Sequence, residues 1–150
     1  MSQPDVTADN AVVVVERIAA PPEVVFDFLV DPAKMLRWMG TSVNIDPRPG
    51  GRFWLDATET GTDIASGTYL SVEPPTKVVF TWGWENNPDV PPGSTTVTIT
   101  LTPDGDDTVV ELRHEGLPVD AGESHNEGWN FYVRRLMLAA AGQDPGPVLP

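Results

Sequence analysis

Apolar and polar residues alternate along several segments of the chain, as they do in strands with one buried face. The clearest alternation runs over 94–101, and a second follows the Asp104-Gly105 turn over 108–115. The β-branched run over 12–18 predicts an earlier strand. Shorter apolar runs bounded by proline and glycine predict four more strands, over 43–46, 52–57, 64–72 and 77–84.

Helical patterns occur at two places. Pro22 and Glu23 suit the first turn of one short helix, and Asp31 with Pro32 suits the start of a second. Near the end of the chain, apolar residues three and four positions apart predict a long helix over 123–141. Its predicted buried stripe consists of Trp129, Val133, Leu136, Met137 and Ala140.

The order of these elements is strand, two short helices, six strands and a long helix, which predicts an α+β domain. Short turns between consecutive strands require antiparallel pairing, because parallel pairs need long crossovers. About seven strands then form a curved antiparallel sheet around one long C-terminal helix, with a cavity between them. We predict a single domain over 11–141, flanked by a flexible N-terminus over 1–10 and a flexible tail over 142–150.

Composition narrows the possible partners. The formal charge of -13 opposes binding to nucleic acid and to anionic lipid surfaces. The chain has no cysteine, and its longest apolar run, over 11–15, is too short to insert into a membrane. The first residues lack the pattern of a signal peptide, so a cytoplasmic location is expected. The excess of arginine over lysine suggests a GC-rich bacterial origin.

Three segments resemble a known family. They are Ile-Ala-Ala-Pro-Pro-Glu-Val-Val-Phe over 18–26, Asp-Pro-Ala-Lys-Met-Leu-Arg-Trp over 31–38 and Arg-Pro-Gly-Gly-Arg-Phe over 48–53. Together they resemble the START/Bet v 1-like (SRPBCC) superfamily, and within it the branch named for the activator of Hsp90 ATPase (AHSA1-like). The resemblance implies the helix-grip fold and a lipophilic ligand held between sheet and helix. Some relatives are co-chaperones, and others act on polyketides.

The aromatic residues suggest where such a ligand would bind. Trp82 and Trp84 share a strand face with Phe80, and both ligand contact and core packing fit them equally well. Core packing is the simpler interpretation for Trp38 and Trp129. The predicted ligand-binding residues are Phe53, Leu55, Phe80, Trp82, Trp84, Val97, Ile99, Leu112, His114, Trp129, Val133 and Leu136.

The two histidines are the remaining candidates for chemistry. The strand phase turns His114 towards the helix, where it needs a ligand, a backbone carbonyl or a buried water as its partner. His125 is predicted to be a surface or capping residue. We predict no catalytic residue, metal or cofactor, because no nucleophile motif, metal-ligand spacing or phosphate loop is present.

Three functions therefore remain open. The leading one is binding of a small lipophilic molecule. A co-chaperone or other protein-interaction role is the second, although the single domain and the negative charge give a chaperone partner no support. A cyclase-like or hydrolase-like enzyme is the third, using His114 with Glu16 or Tyr69 in the same cavity. The proline-rich loop over 87–93 would lie at the cavity mouth, as a lid or as a fixed wall.

Overall fold

Over residues 11–146, the part of the chain that the computed structural model describes, seven strands form one antiparallel sheet. Their order across the sheet is β1-β7-β6-β5-β4-β3-β2. Strands that are consecutive in sequence therefore lie side by side, except β1 and β2, which form the two edges, and β1 pairs with β7. The strands are β1 (Val12–Ile18), β2 (Ser42–Val43), β3 (Arg52–Asp56), β4 (Ile64–Glu73), β5 (Lys77–Trp82), β6 (Thr95–Asp104) and β7 (Asp107–Glu115). The predicted flexible N-terminus, and residues 147–150 of the predicted tail, lie outside the described residues.

Two short helices, α1 (Pro22–Val30) and α2 (Pro32–Met35), connect β1 to β2. Asp31 caps α2 as predicted, because its Oδ1 accepts a hydrogen bond from the Ala33 amide at 2.9 Å. Trp38 follows α2 and is buried in the core, where its Nε1 donates to the Phe28 carbonyl oxygen at 2.7 Å. The core interpretation of Trp38 is therefore confirmed.

The long helix α3 (Gly122–Ala140) follows a 3-10 turn, Val119–Ala121, and packs against β1 and α1. Trp129, Val133, Leu136 and Ala140 are buried as the predicted stripe requires, whereas Met137 is only half-buried. Arg135 is buried beside the stripe, because its guanidinium donates to carbonyl oxygens at Arg37, Pro145 and Gly146. The curved sheet and this helix together form the helix-grip fold.

The end of β5 differs from the predicted strand over 77–84. The strand ends at Trp82, because the next residue, Gly83, lies against the backbone of the loop over 87–93. A Cβ atom at Gly83 would lie only 1.8 Å from the Pro91 carbonyl oxygen. Trp84 instead donates its backbone amide to the Val90 carbonyl oxygen at 2.7 Å. This close approach fixes Trp82 and Trp84 at one end of the sheet, beside α3.

Candidate functional site

A cleft of about 620 Å³ opens between the N-terminal half of α3 and the end of the sheet where β5 finishes. One wall is aromatic and consists of Trp82, Trp84, Trp129, Phe131 and Tyr132. The other lining residues are polar or lack a side chain, namely Thr62, Asp63, Asn86, Asn87, Ser124, His125, Glu127 and Gly128. The cleft therefore combines an aromatic wall with a polar rim.

Trp82 occupies the centre of the aromatic wall. Its ring centroid lies 5.0 Å from that of Trp129 and 5.3 Å from that of Trp84. The ring planes of Trp82 and Trp84 are nearly perpendicular, at 86°. Edge-to-face contacts of this kind are favourable because the positive edge of one ring meets the negative face of the other. Trp82 and Trp129 are almost completely buried, whereas Trp84 is half-buried and closer to solvent.

His114 lies directly behind this wall, at the end of β7. Its Nδ1 accepts a hydrogen bond from Trp129 Nε1 at 2.9 Å, and its Nε2 lies 2.7 Å from Thr95 Oγ1. Because an indole nitrogen can only donate, Nδ1 carries no proton and Nε2–H donates to the Thr95 hydroxyl. That hydroxyl donates in turn to the Trp82 carbonyl oxygen at 2.7 Å. The sequence predicted a buried His114, but its partners are two side chains rather than a ligand, a carbonyl or a water.

This environment holds His114 neutral. Burial, together with a smaller effect of the nearby His125, lowers the pKa of His114 to about 3. The two imidazole centroids are 5.3 Å apart. His114 is thus a structural link between β7, β6 and α3.

His125 lines the cleft, and both of its ring nitrogens also form hydrogen bonds with protein groups. Its Nε2 accepts from Trp84 Nε1 at 2.9 Å, so Nδ1 carries the proton and donates to the Ala121 carbonyl oxygen at 2.8 Å. Burial lowers the pKa of His125, partly opposed by its bond to Ala121. The prediction of a surface or capping histidine was wrong, because the half-buried ring is paired with a tryptophan 41 residues away along the chain.

The structure separates the predicted ligand-binding residues into two groups. Trp82, Trp84 and Trp129 line the cleft, and His114 supports Trp129 from behind. The other eight are fully buried in the core between the sheet and α3: Phe53, Leu55, Phe80, Val97, Ile99, Leu112, Val133 and Leu136. A ligand contact for these eight stays a prediction.

Glu16 and Tyr69, the residues that an enzyme would use together with His114, are not among the residues that line the cleft. The aromatic neighbours of Tyr69 are Phe53 and Phe80, whose ring centroids are 5.8 Å and 5.9 Å away. Glu16 pairs with Val110 across β1 and β7, four residues from His114 along the strand. Both ring nitrogens of His114 and of His125 are occupied by protein partners, so neither histidine presents a ready acid or base to the cleft.

Sequence reasoning missed two sets of lining residues. Thr62, Asp63, Asn86 and Asn87 lie in loops, where no periodicity indicates which side chains come together. Phe131, Tyr132 and Gly128 lie on α3 outside the buried stripe. A glycine within a strongly helical pattern was the one available signal in the second set.

A second pocket, of about 480 Å³ and more polar, borders β3 and β4. It is lined by Trp54, which is out of phase with its buried neighbours Phe53 and Leu55, and by Ser66, Thr68 and Glu85. Within residues 11–146 no group of three or more acidic or histidine side chains is placed to hold a metal ion. None of the helices described is long and apolar enough to cross a membrane.

Comparison with known proteins places these features in a family. Residues 19–140 match the family described as activator of Hsp90 ATPase homolog 1-like protein. The structure of an AHSA1-like protein from Rhizobium etli is 42% identical and has a TM-score of 0.67, and the match covers 91% of this chain and 86% of that one. No curated protein matches the chain.

Two other solved structures share the fold. CalU16 from Micromonospora echinospora is 30% identical with a TM-score of 0.74, over 91% of this chain and 77% of that one. An Hsp90 activator from Plasmodium falciparum is 24% identical with a TM-score of 0.68, over 82% and 90% of the two chains. The family match over most of the length, together with the relative at 42% identity, leads to one conclusion. This chain belongs to the activator of Hsp90 ATPase homolog 1-like family.

Proposed function

We propose that this protein binds a small hydrophobic or aromatic molecule in the cleft between the sheet and α3. The observation that carries the proposal is the aromatic wall of Trp82, Trp84 and Trp129 facing a cleft of about 620 Å³. Pockets that bind small molecules typically measure about 300–1,000 Å³ and combine apolar walls with a few polar groups. Indole and phenol rings supply large apolar contact areas and prefer planar partners.

Gly128 supports the proposal independently. A glycine within a helix costs roughly 0.5–1 kcal/mol relative to alanine. Neither conformation nor packing requires it here, because its backbone is helical and a Cβ atom would meet nothing within 4 Å. Gly128 lies in the cleft lining, so the absent side chain leaves room for a ligand beside Trp129.

The two alternative functions have less support. The exposed large apolar side chains among the described residues are spread over β1, α1, the end of α2, β4, the 3-10 turn and α3: Val15, Val24, Leu36, Leu70, Val119 and Phe131. This distribution does not by itself mark one docking surface for a chaperone. Likeness to the Plasmodium falciparum activator is a likeness of fold. An enzyme using histidine would need a free ring nitrogen, but His125 in the cleft and His114 behind it both bond to tryptophan. The lining carboxylates, Asp63 and Glu127, are exposed at the rim.

The indole N–H signals provide a direct test by NMR. Titration with 1-naphthalenemethanol, flavone and decanol should shift the signals of Trp82, Trp84 and Trp129 saturably for at least one compound. The Trp38 signal is the internal control, because its N–H bonds to the Phe28 carbonyl oxygen away from the cleft. Shifts confined to Trp54 would place binding at the second pocket. That result would refute the proposal. So would the absence of a shift at any indole, in a folded spectrum, for these neutral compounds and for the amine and carboxylate analogues of the naphthalene probe.

Two substitutions at Gly128 separate folding from binding. Gly128→Leu should fill the cleft and weaken binding of whichever probe the titration identifies by about tenfold or more, since its side chain occupies the ligand volume. Gly128→Ala is the matched control and should raise the free energy of unfolding by roughly 0.5–1 kcal/mol while changing affinity little. Unchanged affinity in the folded Gly128→Leu protein would show that the ligand does not occupy this cleft.

A further inference from the structure

We infer that the cleft selects ligands whose aromatic or apolar body carries a protonated amine, and that it discriminates against carboxylates. This inference rests on the proposed function and names the chemical class of the ligand. It depends on three features of the described lining: the sign of its charged residues, the protonation of its histidine and its aromatic wall.

The charged residues that line the cleft are both acidic. Asp63 lies in the loop before β4, and Glu127 projects from α3 on the other side. Both side chains are exposed at the rim, and no lysine or arginine is among the described lining residues. An ammonium group at the rim would gain attraction from both sides of the cleft, whereas a carboxylate would meet two like charges and no counterion.

Asp63 acts electrostatically within the cleft as well as at its edge. Burial raises the pKa of the Tyr132 phenol, Arg135 opposes that rise, and Asp63 adds to it. The negative charge of Asp63 is therefore felt at Tyr132, one of the aromatic lining residues. At the phenol itself the positive charge of Arg135 has the larger effect, so the attraction for an ammonium group is assigned to the acidic rim and not to the phenol.

His125 does not supply a compensating positive charge. Its two ring nitrogens are already bonded to Trp84 and to the Ala121 carbonyl oxygen. A second proton on Nε2 would face the Trp84 N–H, which cannot accept a hydrogen bond, so the neutral ring is retained. The polar rim groups Thr62, Asn86 and Asn87 have oxygen atoms that can accept hydrogen bonds from an ammonium group.

The aromatic wall favours the same charge. The faces of tryptophan and tyrosine rings attract cations and do not attract anions. Trp84, half-buried at the edge of the wall, lies next to the acidic rim. The whole chain, at a formal charge of -13, also attracts cations and repels anions at long range. Apart from the opposing charge of Arg135 at the Tyr132 phenol, these contributions all favour a cation.

Three naphthalene probes of similar size test the inference: 1-naphthylmethylamine, 1-naphthalenemethanol and 1-naphthoate. In NMR titrations at neutral pH and low salt, the amine should bind roughly tenfold more tightly than the alcohol, and the carboxylate more weakly than either. Raising the salt concentration should reduce the difference between amine and carboxylate and leave the alcohol little changed.

Two double variants locate the charge effect. Asp63→Asn with Glu127→Gln should remove most of the amine preference while keeping the affinity for the alcohol. Glu23→Gln with Glu111→Gln removes two exposed charges outside the cleft and should keep the preference. Equal binding of all three probes at the three cleft tryptophans would overturn this inference and leave the proposed function standing. Failure of 1-naphthalenemethanol, flavone, decanol and all three naphthalene probes to bind would overturn the proposed function itself.

Discussion

Replacing His114 with leucine is expected to lower the free energy of unfolding by about 3 kcal/mol. The substitution leaves the Trp129 N–H buried without an acceptor, since Nδ1 of His114 is its partner at 2.9 Å. A buried donor that loses its only partner costs roughly 1–3 kcal/mol, and the lost bond to Thr95 adds to this. Thr95 itself keeps the Trp82 carbonyl oxygen as an acceptor. Urea unfolding followed by circular dichroism measures the change.

A double-mutant cycle distinguishes this hydrogen bond from a general loss of packing. Trp129→Phe removes the N–H, so the combination with His114→Leu should cost less than the sum of the two single changes, by about 1–2 kcal/mol. Trp38→Phe provides the matched control, because its N–H donates to Phe28 instead of His114. Its effect should add to that of His114→Leu within about 0.5 kcal/mol. Additivity for the 114 and 129 pair would contradict the proposed link between β7 and α3.

The regular elements of the fold could be predicted because each has one buried face with a fixed period. Val97 and Ile99 on β6 lie opposite His114 and Leu112 on β7, and all four are buried. The alternating pattern therefore predicted both strands, and it predicted that the His114 side chain is on their buried face. The order of the elements and the short turns between strands then indicated a curved antiparallel sheet around the long helix. The family resemblance implied the same helix-grip arrangement.

The contacts that build the site could not be predicted, because they join side chains from distant elements. The partner of His125 is Trp84, which lies beyond the end of β5 where the alternation has stopped. Its position depends on the close approach of Gly83 to the Pro91 carbonyl oxygen. Nothing in the local pattern around His125 indicates a tryptophan at hydrogen-bond distance, so a surface position was the natural expectation.

The same reasoning explains why only some of the predicted binding residues line the cleft. Phe53, Phe80 and Leu112 all face α3, and facing the helix was the only criterion that the sequence offered. In the structure Phe53 and Phe80 stack with their ring centroids 4.1 Å apart and contribute to the core. The open space depends instead on volume, especially on the side chain that Gly128 lacks, and volume between elements is not a periodic property.

The stability of the protein is expected to fall as the pH is lowered from about 6.5 towards 3, with a measurable share due to His114. Burial lowers the pKa of His114 from its ordinary value of 6.5 to about 3 in the folded protein. Between these two values the unfolded chain binds a proton at this residue that the folded protein does not bind. Lowering the pH therefore favours unfolding. The stabilising effect of the neutral ring is present in full above pH 6.5 and is lost as the pH falls through this window.

Comparison with the His114→Leu variant isolates the share of the pH dependence that is due to His114. The variant lacks this titrating group and keeps the other titrating side chains of the sequence. Between pH 6 and pH 4, the unfolding free energy of the unmodified protein should fall more steeply than that of the variant, by about 1 kcal/mol for each pH unit. His125, whose pKa burial also lowers, contributes with the same sign to both proteins.

An NMR measurement on the folded protein tests the cause directly. At pH 5 the long-range proton–nitrogen spectrum of His114 should still show a neutral ring protonated at Nε2, because Nδ1 accepts from Trp129. A free histidine would be mostly charged at that pH. If His114 instead titrated near pH 6.5 while the spectrum stayed native, a charged imidazole would coexist with the Trp129 N–H. The hydrogen-bond chain from Trp129 through His114 to Thr95 would then not exist in solution, and equal pH slopes in the two proteins would be expected to accompany that result.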